Sequence, residues 1–202
     1  TWSDRTRRRT LLFILAKRRK DRGVRAYTTA HLSLPLPEGH PFPLYKYGGV
    51  AEALKGLLPV LPAPEVPREA LFLAHEASYL EKLFGEGLTR EESLRLGLPF
   101  SQALLRRALK TGLGLNLSGG THHAFPGRAE GYSLFNDVAV AIFWLRAKEG
   151  FSGRVLVVDL DAHQGNGTAF FFREDPSVFT LSLHGERNYP LKKERSDLDV
   201  GL

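Results

Sequence analysis

An α/β fold built on a mostly parallel sheet is what this sequence predicts, and three observations carry the prediction. Short β-prone runs alternate with segments of helical period along the 202 residues, the order that crossover connections between parallel strands produce. The run Val155-Leu156-Val157-Val158, behind Arg154, has the continuous apolar character of a strand buried on both faces of such a sheet. Two apolar runs pass directly into glycine-containing turns that carry chemistry: Leu113 to Leu117 into Ser118-Gly119-Gly120-Thr121-His122-His123, and 154–158 into Asp159-Leu160-Asp161-Ala162-His163-Gln164-Gly165. In open α/β sheets, ligands bind at the carboxyl ends of the strands.

Taken in order, Val24 to Thr28 reads as a first short strand and the proline-rich 31–45 as an ordered, non-regular loop. Val50 to Leu58 has helical spacing, and Pro59 to Pro67 is a second proline-rich connection. Leu71 to Ala74 is a candidate strand, followed by a helix over Ser78 to Phe84. A further helix is expected over Pro99 to Lys110, with Ala103, Leu104 and Ala108 inward and Arg106, Arg107 and Lys110 outward, ended by Gly112. The strand 113–117 ends in the tight turn 118–120. A long helix over Leu134 to Lys148 is closed by Gly150. A strand over 154–160, a helix over Thr168 to Phe172 and a strand over Val178 to Leu183 follow. Lys192 to Leu202 is loop-like, with no closing helix or strand expected.

Composition narrows the chemistry. At 43% apolar and 25% charged the chain is ordinary for a soluble globular protein, with room for one medium domain. It contains no cysteine, so any metal must rest on histidine and carboxylates. Ten of its 28 basic and two of its 22 acidic residues fall within 1–25, which leaves the remainder at a net charge of −2. The basic character therefore belongs to a head, taken as residues 1–23, which lacks the aromatic interleaving of a nucleic-acid arm. We read it as a solvated extension. Leu11 to Ala16 is too short to cross a bilayer and has no cleavage pattern beside it, so membrane partners are not expected and a cytoplasmic location is.

Asp161 and His163, two residues apart on extended backbone, point the same way. An oxygen and a nitrogen converging from one strand end suit a divalent ion such as zinc. Tandem His122-His123 is a weak signal alone, strengthened by the glycines before it and by co-occurrence with 159–163. Taken singly, Asp159 also reads as a turn cap, Asn166-Gly167 as a turn pair, Ser182 as a strand serine and Asp137 as a helix-start anchor. His31, His40, His75 and His184 read as structural or surface residues.

Gly119-Gly120-Thr121-His122-His123-Ala124, the segment Gly131-Tyr132-Ser133-Leu134-Phe135-Asn136-Asp137, Asp159 to Thr168 and Thr180 to His184 together resemble the histone deacetylase superfamily. The likeness includes its bacterial acetoin-utilisation and acetylpolyamine amidohydrolase members, and Gly39 to Pro43 tilts it towards the class IV branch. It implies a three-layer α/β/α arrangement over 24–202 and a zinc-dependent deacylase acting on acyl-lysine, acetylpolyamine or a similar small amide. It further implies zinc ligation by Asp161 and His163, and His122 and His123 as the general acid/base pair. The resemblance would place Asp159 behind His122 and Asn166 behind His123. Gly131 and Tyr132 would, by the same resemblance, line the substrate tunnel. The same resemblance implies a structural K+ or Na+ among Asp159, Asp161, His163, Ser182 and Leu183.

The resemblance places a third zinc ligand, an aspartate, and a transition-state tyrosine further along than Leu202, so the deacetylase-like domain is expected to be incomplete at its C-terminus. An open sheet edge there would favour homo-oligomers. Asp197 and Asp199 do not match the missing ligand. Two other readings remain: a non-catalytic deacetylase-like chain, and a two-manganese ureohydrolase. The second needs another aspartate soon after the histidine, where Gln164-Gly165 stand.

Overall fold

The computed structural model describes residues 25–110, 115–116 and 120–202. The basic head, the helix stop at Gly112 and positions 118–119 of the expected turn lie outside the described residues. Two parallel sheets organise the rest. In the first, β1 (Ala26–Thr28) lies between β2 (Val60–Pro62) and β3 (Leu115–Asn116). In the second, β5 (Val178–His184) lies between β4 (Val155–Asp159) and β6 (Leu198–Gly201). The α/β class with parallel pairing is as expected.

The helices are α1 (Tyr45–Leu54), α2 (Arg68–Phe72), α3 (Ala77–Phe84), α4 (Arg90–Leu96), α5 (Gln102–Ala108), α6 (Asp137–Glu149) and α7 (Asn166–Phe172). α6 starts where the Asn136 side chain accepts the Ala139 N–H, and ends where Gly150 takes a left-handed φ of 63°. Its buried face (Val138, Ala139 and Ile142) packs with Phe172 of α7 against Val157 and Val178. This contact seats β4 and β5, and with them the Asp159 end of the sheet. A larger cluster joins α2 to α5 through Leu71, Leu80, Leu83, Leu96, Leu104 and Leu105.

Several expectations are corrected. Leu71 to Ala74 is the end of α2 and a turn, not a strand. β2 forms inside the proline-rich 59–67, as a short edge strand paired to β1. α1 begins and ends earlier than the spacing suggested. α4 was not anticipated. It is set by a capping box in which Thr89 Oγ1 accepts the Glu92 N–H and Glu92 accepts the Thr89 N–H. β6 closes the sheet where loop was expected. Arg107, expected outward, is buried, its guanidinium donating to Thr29 O at 2.7 Å and lying over the Tyr47 ring. β4 is not buried on both faces: Leu156 is 55% exposed, on the same side as half-exposed Phe179.

Candidate active site

β4 leads directly into the aspartates, and the histidine pair is brought against them by side-chain contact. His122 and His123 are 6% and 5% exposed, with ring centroids 4.0 Å apart. His122 Nδ1 lies 2.5 Å from Asp159 Oδ2, and His123 Nδ1 lies 2.7 Å from Asn166 Oδ1. The His163 ring stands 6.1 Å from that of His123, and its Nδ1 is 2.9 Å from Asp161 Oδ1. Asp161 is tied in turn to Asp159, whose Oδ1 accepts the Asp161 N–H at 3.0 Å. The structure thus gathers His122, His123, Asp159, Asp161, His163 and Asn166 at one rim. Ser182 is the ladder partner of Asp159, and Leu183 follows it on β5.

Close backbone approach explains the glycines between these groups. A Cβ on Gly165 would fall on Asp159 Oδ2 and 3.1 Å from His122 Nδ1, so a side chain there would part the pair. A Cβ on Gly167 would fall on Ala124 O, where α7 packs against the histidine backbone and the Thr168 N–H donates to His122 O. Gly131, at φ 52°, leaves its Cβ position 2.5 Å from the His123 ring. Tyr132 follows at φ 64°, a strained conformation for a bulky residue. Its ring rests on Phe42 and above Gly97, 44% exposed. The aromatic ring edge-on to His123 is that of Tyr189, 5.0 Å away, a residue the sequence did not single out.

The two imidazoles are driven apart electrostatically. Burial opposes a charged His122, but the hydrogen bond and charge of Asp159, with Asp161 and Asp137 beyond, outweigh it and raise its pKa. His123 is pushed down to about 3, by burial first and then by the charge of His122. Asp159 thus favours the protonated form of one ring while its neighbour is held towards the neutral form, the pattern of a paired acid and base.

Asp161 and His163 offer one carboxylate oxygen and one imidazole nitrogen, a donor set suited to zinc. Their 2.9 Å separation falls well inside the roughly 4 Å span of two ligands each about 2.1 Å from one ion. Among the described residues no group of three or more His, Asp or Glu side chains is arranged to hold a metal ion. These two residues are thus a fitting but partial ligand set.

Residues 96–201, half of the sequence, match the histone deacetylase domain family model. The chain belongs to the histone deacetylase family. A protein of Picosynechococcus sp. is 42% identical to it, over 83% of this chain and 62% of that protein. The acetoin utilization protein AcuC of Bacillus subtilis is 50% identical over 74 residues, 37% of this chain and 19% of AcuC. The crystal structure of an HDAC homolog from Aquifex aeolicus shares the fold, with a TM-score of 0.66 at 22% identity, over 89% of this chain and 59% of that one. An HDAC homolog complexed with SAHA superposes with a TM-score of 0.65 at the same identity and coverage. This histone deacetylase family chain therefore spans about three-fifths of the length of the first relatives it matches.

Two buried residues outside the expected set hold the rim together. Asn136 Nδ2 donates to Ala124 O at 3.2 Å and to Thr168 Oγ1 at 3.1 Å, joining the histidine loop, α6 and α7. His75 Nε2 accepts the Asn136 N–H at 3.1 Å, and its Nδ1 donates to Phe125 O at 3.1 Å. His75 was expected to be structural, and it acts as a clip from the end of α2. Asp137 lies one residue inside the helix start, where Oδ1 accepts from Thr121 Oγ1 at 2.7 Å. A readable signal existed for Asn136, since asparagine before a helical run is a common cap. None existed for the reach of His75 across 61 positions.

Gln164 is buried and turned from the rim, donating to Glu194 O and Asp199 Oδ1 and accepting the Glu194 N–H. Asp199 and Asp197 are both engaged in holding this loop to the sheet, Asp197 by accepting from Thr180. No helix among the described residues is long and apolar enough to cross a membrane.

Proposed function

We propose that this rim belongs to a zinc-dependent deacylase hydrolysing acetyl or longer acyl amides of lysine-like amines, with acyl-lysine, acetylpolyamine or a similar small amide as substrate. The observation that carries the reading is the pair of differently backed imidazoles beside Asp161 and His163. Those two residues would hold the zinc, which when bound polarises an amide carbonyl and lowers the pKa of water. His123 is neutral, with Nδ1 engaged by Asn166, so its Nε2 is free to take a proton from water and pass one to the departing amine. His122, whose protonated form Asp159 favours, would set positive charge beside the carbonyl as negative charge develops there. Tyr189, Gly131 and the Tyr132 turn would wall the acyl approach. The carbonyls and side chains at 159–163 and 182–183 would take a structural K+ or Na+.

Hydrolysis of a fluorogenic acetyl-lysine substrate in the presence of zinc tests this reading. His123→Ala should lower the rate by about 10²- to 10⁴-fold, and an unchanged rate overturns its role as base. A second reading, a non-catalytic member of the family, is favoured by the partial ligand set among the described residues. A chain showing neither zinc uptake nor turnover would select it. The two-manganese alternative is disfavoured because Gln164, where that site needs a carboxylate, is committed to the 194–199 loop.

A further inference from the structure

We infer that Glu130 is a positioning residue for His123: its carboxylate fixes which way round the Asn166 amide stands, and so which ring nitrogen of His123 carries the proton. The positioning role rests on the deacylase reading above, whereas the proton placement does not.

An asparagine amide offers an acceptor at one end and a donor at the other, and the two differ only by which way the group is turned. Facing His123 with Oδ1, it accepts from Nδ1–H and leaves Nε2 bare as a base. Facing it with Nδ2, it donates to Nδ1 and drives the proton to Nε2, where it blocks that function. An aspartate in this place would have no such choice. Asn166 does, and nothing in its own chemistry decides between the two.

Glu130 decides it. Asn166 Nδ2 donates to Glu130 Oε1 at 2.8 Å, and a carboxylate can only accept. The amide nitrogen is therefore committed to Glu130 and Oδ1 to His123, giving a one-directional chain from His123 through Asn166 to Glu130. Glu130 is itself well fixed. Its side chain is 14% exposed, Oε2 accepts from Arg128 Nε at 3.2 Å, and Oε1 accepts from Tyr189 Oη at 3.3 Å. Its backbone exchanges both hydrogen bonds with Ser133 around the left-handed pair Gly131 and Tyr132, at φ 52° and 64°. That turn explains the strain at Tyr132: it folds the chain back beneath His123 and brings Glu130 to Asn166. The negative charge missing from position 166 is present one link further out.

The test is nitrogen-15 NMR of histidine-labelled protein at neutral pH. In the wild type His123 should show a protonated Nδ1 and a bare Nε2. Glu130→Gln supplies both donor and acceptor, so both tautomers should appear. Adding Asn166→Asp to Glu130→Gln should restore the single Nδ1–H form, because the new carboxylate accepts from His123 directly and the glutamine amide can donate to it. A merely structural glutamate would not be rescued in this way. Glu130→Asp, which keeps an acceptor-only group, should retain the wild-type signature and guards against a Glu130→Gln chain that fails to fold. A pure Nδ1–H signal in folded Glu130→Gln, or no recovery in the double variant, overturns the inference. In the acetyl-lysine assay Glu130→Gln should lower kcat by about two- to tenfold with KM unchanged. Tautomer shifts in a protein without turnover would uphold the proton placement and sink the deacylase reading alone.

Discussion

Acidification should loosen the rim through His75, and the size of the effect follows from its surroundings. The ring is 4% exposed, with Nε2 accepting from the Asn136 N–H and Nδ1 donating to Phe125 O. A second proton on Nε2 would set two donors against each other, and burial lowers the pKa from 6.5 to about 4. Since the folded value lies below the unfolded one, the stabilisation is whole above pH 6.5. It falls away as the pH drops towards 4, and no more is lost beneath that because both states are then charged. The full shift corresponds to about 3 kcal/mol, a large share of an ordinary domain's stability. The perturbation is His75→Gln, which keeps a donor and an acceptor but cannot titrate. Urea unfolding of both proteins between pH 7 and 4 gives the assay. His123 contributes its own pH dependence, which is common to both chains and cancels in their difference. The wild type should lose about 3 kcal/mol more than the variant across this window. Parallel curves would refute the clip.

Other perturbations have equally definite outcomes. Gly165→Ala places a methyl on Asp159 Oδ2, so the low-field proton shared by His122 and Asp159 should vanish from the ¹H NMR spectrum. Its persistence would show that the pair does not need the glycine. His163→Ala should abolish zinc binding in metal analysis, and stoichiometric zinc in that variant would rule out the ligand assignment. Thr89→Ala removes one half of the α4 capping box and should cost about 1 kcal/mol in urea unfolding. An unchanged midpoint would show that the box adds nothing to α4.

What was legible in the sequence was local. The runs that became β4 and β5 could be read because their apolar residues are contiguous, and Asp159, Asp161 and His163 because they sit at or just past the end of the first. Leu71 to Ala74 misled because a short apolar run has no period long enough to separate helix from strand. β2 and β6 owe their form to pairing with β1 and β5, a tertiary cause that propensity does not register. α4 was readable, since Thr89-Arg90-Glu91-Glu92 followed by Gly97 carries both a start and a stop signal. The burial of Arg107 was not, because its partners Thr29 and Tyr47 come from distant segments. The same holds for Tyr189 and Glu130, which meet His123 and Asn166 only through the fold. Side chains at strand ends announce themselves, whereas those that orient them from elsewhere do not.

The proposed function depends most on the carboxylate of Asp161 and the imidazole of His163 sharing one zinc ion beside the histidine pair. Anomalous diffraction at the zinc edge, from crystals grown with the metal, addresses it most directly. One peak is expected about 2.1 Å from both Asp161 Oδ1 and His163 Nδ1. No peak between those atoms in zinc-saturated crystals, or one at Asp197 and Asp199 instead, would contradict it.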